Sequence, residues 1–239
     1  MPNPAMKEQN FVPALWGEEV MTLQWAINKS MILVWITILS AIMTWMYVDI
    51  SILAPYLLPI IIWTFVFSLI ILFKKETAPY LAPVFAIIEW VVIAIFSAIF
   101  ENMYPWIVMQ AATATFAIFW VMLLLYKTRV IQVTQKFRSG VIAATWAIML
   151  LYVISILGSL TGWFEVPFLH SNGPLGIGVS VFIVGIASFN LLLDFDVMEH
   201  WVSARAPKWM EWYAGFALLI TLVWLYIEVL KLLAKLRDR

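Results

Sequence analysis

The sequence predicts an all-α integral membrane protein, a bundle of seven transmembrane helices, on three observations. Of its 239 residues 64% are hydrophobic and only 12% charged, with a mean hydropathy of +0.97, whereas a soluble domain is roughly half apolar and a quarter charged. Seven apolar runs come near the ~20 residues that a helix needs to cross a hydrocarbon core about 30 Å thick. The runs lack the strict alternation of barrel strands, and backbone groups in lipid must be satisfied within the segment, which leaves helices.

Residues 1–28, polar and acidic and unlike a cleavable leader, are expected to form a cytoplasmic N-terminal tail, and residues 29–239 a single seven-helix domain. The runs fall near 31–48, 55–73, 81–100, 105–126, 140–160, 175–193 and 209–233. The first ends at Trp45 and Tyr47, the fourth opens at Tyr104 and Trp106 and ends at Tyr126, and the seventh opens at Trp209, Trp212 and Tyr213; such rings favour the headgroup level. The third carries Glu89 inside it. The sixth opens with PLGIGVS, whose glycines suit close helix packing, and runs into FNLLLDFDVMEHW.

Orientation comes from the loops. Lys7, Lys29, Lys74, Lys75, Lys127, Arg129, Lys136, Arg138, Arg205 and Lys208 lie on one side, while the loops near Asp49, Glu101 and Glu165 carry no Lys or Arg. Cytoplasmic loops are rich in Lys and Arg, so the N-terminus is predicted to be cytoplasmic. Seven crossings then put the basic end KLLAKLRDR outside; the alternative is a re-entrant last segment.

With 14 Lys and Arg against 14 Asp and Glu, no net field points to nucleic acid. The absence of Cys removes disulfides, thiolate metal sites and Cys nucleophiles. His170 and His200 are separated by a whole span, which argues against a two-His metal site. There is no phosphate-binding loop, zincin motif or nucleophile elbow. An intramembrane aspartyl protease needs facing aspartates on two spans, and DFD supplies one. No enzymatic activity is expected.

Carboxylates inside a bilayer commonly mark ion or proton pathways. Glu89 is the deepest by sequence, about 13 Å into its run at 1.5 Å per residue. Asp194 ends the sixth run and shares a face with Asn190, Ala187 and Ser180, a small and polar stripe suited to a helix contact or a cavity. Asp196, Glu199 and His200 fall on another face and read as a solvated helix end. Glu228 lies in the last run, three residues before Lys231, as a path residue or as half of an ion pair. The basic loop YKTRVIQVTQKFRSG reads as an anchor to anionic lipid.

Three stretches, RSGVIAATWAIMLLYVI, SNGPLGIGVSVFIVGIASFNLLLDFDVMEH and PKWMEWYAGFALLITLVWLYIEVLKLLAKL, resemble the bacterial branch of the Bax inhibitor (transmembrane Bax-inhibitor-motif) family. The resemblance implies a compact seven-span bundle in the bacterial plasma membrane, with the last span central and wrapped by the other six. It also implies a pH-sensitive calcium leak, gated by aspartates on the sixth and seventh spans that share a proton when closed. Asp194 matches the sixth-span aspartate. Matching LYIE to the family's pattern places its partner at Glu228, whereas preserving the interval between the acids places it near Leu219. A second-span acid of some members falls around Trp63.

The expected function is therefore a cation path lined by Asp194, Glu89 and Glu228, supported by Asn190 and Ser180, with no resident metal or cofactor beyond transient Ca2+. Expected partners are the lipid bilayer and cations such as Ca2+ or H+. The alternative is a non-transporting modulator that binds other membrane proteins, such as a membrane protease or a stress-response complex.

Overall fold

A computed structural model describes residues 19–47, 54–162 and 171–238. Lys7, Asp49, Glu165 and His170 lie outside the described residues. Among the described residues seven α-helices follow one another: α1 Leu23–Tyr47, α2 Leu57–Phe73, α3 Ala78–Met103, α4 Ile107–Lys127, α5 Gln135–Thr161, α6 Pro174–Ser203 and α7 Met210–Arg237. Six are long and apolar enough to cross a membrane; α2 is shorter. Its 17 residues span about 25 Å at 1.5 Å per residue, and short 3-10 turns, Ala54–Tyr56 and Lys75–Thr77, flank it.

Local chemistry sets the ends. The Thr134 hydroxyl accepts the Phe137 N–H at the start of α5, and Gly162 closes that helix at φ 67°, a left-handed turn that only glycine makes at no steric cost. Pro174 opens α6 in its first turn, where its missing N–H is no loss. At the start of α4 the cap comes from a neighbouring helix end. The Glu101 carboxylate accepts the N–H groups of Trp106 at 2.5 Å and Val108 at 3.0 Å, placing negative charge at a helix N-terminus. Glu101, an ordinary loop acid by sequence, holds the α3–α4 connection together.

The core forms around α7, whose Tyr213, Ala214, Phe216, Ala217, Leu225 and Leu230 are buried. It packs mainly against α1, α3, α4 and α6, while α2 leans on α3 and α5 on α6. The expected wrap of six helices is thus an inner ring of four with two outlying helices. Gly215 lets α1 approach closely: a Cβ there would stand 3.1 Å from the Ser30 nitrogen.

The first helix starts at Leu23, well ahead of the expected run. Residues 19–28, placed in the tail by sequence, lie against the bundle, with Met21 and Ala26 buried. Met21 N–H donates to the Ala206 carbonyl at 2.7 Å and Lys208 N–H to that of Glu19 at 2.8 Å. The chain before α1 is therefore fastened to the α6–α7 turn. At the other end Arg237 donates to the Pro105 carbonyl at 2.6 Å and to Gln110 at 2.9 Å. The two ends of the described chain thus sit at opposite ends of the bundle, and α7 is one unbroken helix rather than a re-entrant loop.

Candidate functional site

The seam between α6 and α7 organises the acidic residues. The helices run antiparallel, and their register shows in contacts along the seam. Lys235 Nζ donates to Ser180 Oγ at 2.9 Å, the Thr221 hydroxyl faces Asp194, and the Trp201 and Tyr213 rings lie 5.9 Å apart. Each step along one helix is matched by an equal step back along the other. At that register Glu228 stands level with Ala187, about 10 Å along the axis from the level of Asp194 at 1.5 Å per residue. Leu219, the other position open by sequence, is also not the facing residue; Thr221 is.

Asp194 is fully buried. Neither carboxyl oxygen completes a hydrogen bond, because the Thr221 hydroxyl faces the group without closing one of good geometry. Asn190, one turn away, donates Nδ2 to Thr145 Oγ1 at 2.9 Å and to the Ile186 carbonyl at 2.8 Å, and leaves its Oδ1 unbonded. The Trp201 indole N–H is also buried without a partner. Asn190, Asp194 and Trp201 fall on one stripe at 3.6 residues per turn. Unsatisfied polar atoms are rare in protein interiors and call for a reason; here they line up along one helix.

Ser180 does not belong to that group. It sits at the far end of α6 beside a second acidic centre, in a cavity of about 300 Å³ lined by Tyr152, Ser180, Glu228, Lys231, Lys235 and Asp238 among others. There the buried Glu228 accepts the Tyr152 hydroxyl on both oxygens, at 2.9 and 2.8 Å. Lys231 Nζ donates to it at 3.1 Å and lies 4.7 Å from the centre of the Tyr152 ring. Glu228 is thus satisfied and charge-paired, whereas Asp194 is neither. The sequence placed Ser180 and Asn190 on one supporting face; the helix is long enough to deliver them to different centres.

Glu89 is half-buried on α3 and, among the described residues, makes no hydrogen bond or ion pair. It lines neither the Glu228 cavity nor a larger apolar one of about 430 Å³ between α1, α3, α4 and α7. In the larger cavity Ser97 and the Tyr226 hydroxyl bond at 2.6 Å.

The acids after Asp194 are not a free solvated end. Asp196 pairs with Arg138 at 2.6 Å, and Glu199 with Arg129 at 2.8 Å and with the Tyr126 hydroxyl. Arg129 and Arg138, two of the four charges that the sequence assigned to lipid, thus brace α6. Sequence reasoning passed over Glu211. It is completely buried, takes Lys29 at 2.5 Å and accepts the Thr22 N–H at 3.0 Å, while Lys29 also lies over the Trp212 ring at 5.3 Å. Its partner is 182 residues away, so no local spacing exposes the pair; an acid in the first turn of a helix was the one available sign.

Outside the spans, Glu19 and Lys208 form an exposed ion pair. The hydrogen bond from Lys208 and its charge hold the Glu19 carboxyl below its ordinary range, and the same contact raises the Lys208 ammonium.

Among the described residues no three of His, Asp and Glu gather as a metal site would require. No curated protein matches the chain. The family model described as Bax inhibitor 1 like matches residues 3–238. That match takes in α1 through α7, both acidic centres and the buried seam, and the chain belongs to the Bax inhibitor 1 like family.

Proposed function

We propose that this multi-pass membrane protein is a pH-controlled cation leak in a bacterial plasma membrane, with its N-terminus in the cytoplasm and Asp194 as its gate. One observation carries the reading: a carboxyl sealed against the central helix with both oxygens unbonded. Ionising it there would strand a charge without solvent or partner, which costs far more than an unmet neutral group. The sealed packing suits the neutral acid, and the ionised form calls for the seam to admit water or a cation. The charge on Asp194 thereby couples to opening.

Glu228 is the second carboxylate of the path, held in reserve by Tyr152 and Lys231. Glu89, on α3 rather than on the α6–α7 seam, stays outside our path. Calcium is the ion implied by the family resemblance.

Purified protein in vesicles tests the proposal. Cation efflux should rise with pH in the wild type and stay low in Asp194→Asn. Silence towards every cation across the pH range would contradict it and leave the reading of a non-transporting modulator of other membrane proteins.

A further inference from the structure

The family resemblance points to calcium, but the charges along the α6–α7 seam do not suit a divalent ion. Across from Asp194 stands the neutral Thr221. The only acids on α7 are Glu211 and Glu228. Lys29 takes the first at 2.5 Å, and Lys231 takes the second at 3.1 Å. An ion at Asp194 would find one carboxylate, the unbonded amide oxygen of Asn190 one turn away, and the Thr221 hydroxyl. Calcium takes six to eight oxygens, usually with several carboxylates. A single carboxylate with a few neutral oxygens matches one positive charge.

The other centre works in the same direction. An ion leaving past Glu228 meets the ammonium of Lys231, already bonded to that carboxylate, and Lys235 one turn on, which donates to Ser180 and to the Gly176 carbonyl. Both ammonium groups stand at the Glu228 centre, where they outnumber its one buried carboxylate. Repulsion from a fixed ammonium doubles with the charge of the passing ion, and Lys231 is a tethered cation on the ligand that a permeating cation would use.

We infer that the ion carried along this seam is a monovalent alkali cation, and that Lys231, seated on Glu228, discriminates against calcium. The inference rests on the proposed cation leak and narrows its substrate.

The test is the reversal potential of the full-length protein in planar bilayers, with KCl on one side and CaCl2 on the other, at the pH of greatest conductance. The expected wild-type result is K+ preferred over Ca2+ by about tenfold, the scale of one additional unit of repulsion at a half-solvated mouth. Lys231→Gln, at a side chain one-third exposed, should shift the ratio towards Ca2+, and so should Thr221→Asp, which adds an acid opposite Asp194. Equal permeability of Ca2+ and K+ in the wild type, or an unchanged ratio in Lys231→Gln, would overturn the inference while leaving a cation leak in place. Absence of any cation current would overturn the leak itself and this inference with it.

Discussion

The hydroxyl of Thr221, and not a second carboxylate, faces Asp194 across the seam between α6 and α7. A lone buried acid lacks the proton-sharing partner that the family resemblance implies. Opening must then follow from solvating one group rather than from parting a pair.

Lys29 and Glu211 tie α1 to the start of α7 at 2.5 Å, with Glu211 fully buried. Glu211→Gln should lower stability by about 3 kcal/mol, because removing one partner of a buried pair leaves the other uncompensated. The double variant Lys29→Met with Glu211→Gln should recover part of that loss. Thermal unfolding in detergent measures both; equal losses in the single and double variants would show that the pair does not act as a pair.

Gly215 sets the distance between α1 and α7. Gly215→Leu should cost about 1–3 kcal/mol by overpacking, since even a Cβ would stand 3.1 Å from the Ser30 nitrogen and 3.2 Å from Leu33 Cδ1. Gly185 has nothing within 4 Å of such a Cβ, so Gly185→Ala should be neutral or stabilising by about 0.5–1 kcal/mol. Thermal melts of the two variants should move in different directions or by clearly different amounts.

The overall bundle is legible in the sequence because a bilayer demands long apolar helices, and each of the seven runs overlaps a helix. The inward placement of Asp194 is legible as well, from its stripe with Asn190. Contacts between distant segments are not. Lys29 with Glu211, Arg138 with Asp196 and Tyr152 with Glu228 each join different helices, and no spacing along the chain encodes such a meeting. For the same reason the second partner of Asp194 stayed open between two positions, and the α6–α7 register selects neither.

The exposed pair of Glu19 and Lys208 fastens the chain before α1 to the α6–α7 turn. A carboxyl whose native pKa is lowered adds stability above its unfolded pKa and loses it as pH falls through the native value; a raised ammonium adds stability below its unfolded pKa and loses it as pH rises through the native value. The fastening should therefore hold between the two and loosen below about pH 4 or above about pH 10. Hydrogen exchange at the Met21 and Lys208 amides, corrected for intrinsic rates, should show lower protection at both extremes. Uniform protection across the range would mean that the backbone bonds alone hold the segment.

The N-terminus should face the cytoplasm, because the basic loops lie on its side. The chain has no Cys, so a single cysteine at position 7 reports cleanly. An impermeant thiol reagent should leave it unlabelled in intact cells and label it after lysis; labelling in intact cells would invert the topology.

The pH profile of cation flux from vesicles, compared among wild type, Asp194→Asn and Asp196→Asn, tests the central claim most directly. Asp196 is partly exposed and paired with Arg138, whereas Asp194 is sealed and unbonded. Wild type and Asp196→Asn should both show flux rising with pH, and Asp194→Asn should show a low flux that no longer responds to pH. A pH response in Asp194→Asn as steep as that of the wild type would contradict the assignment of Asp194 as the gate.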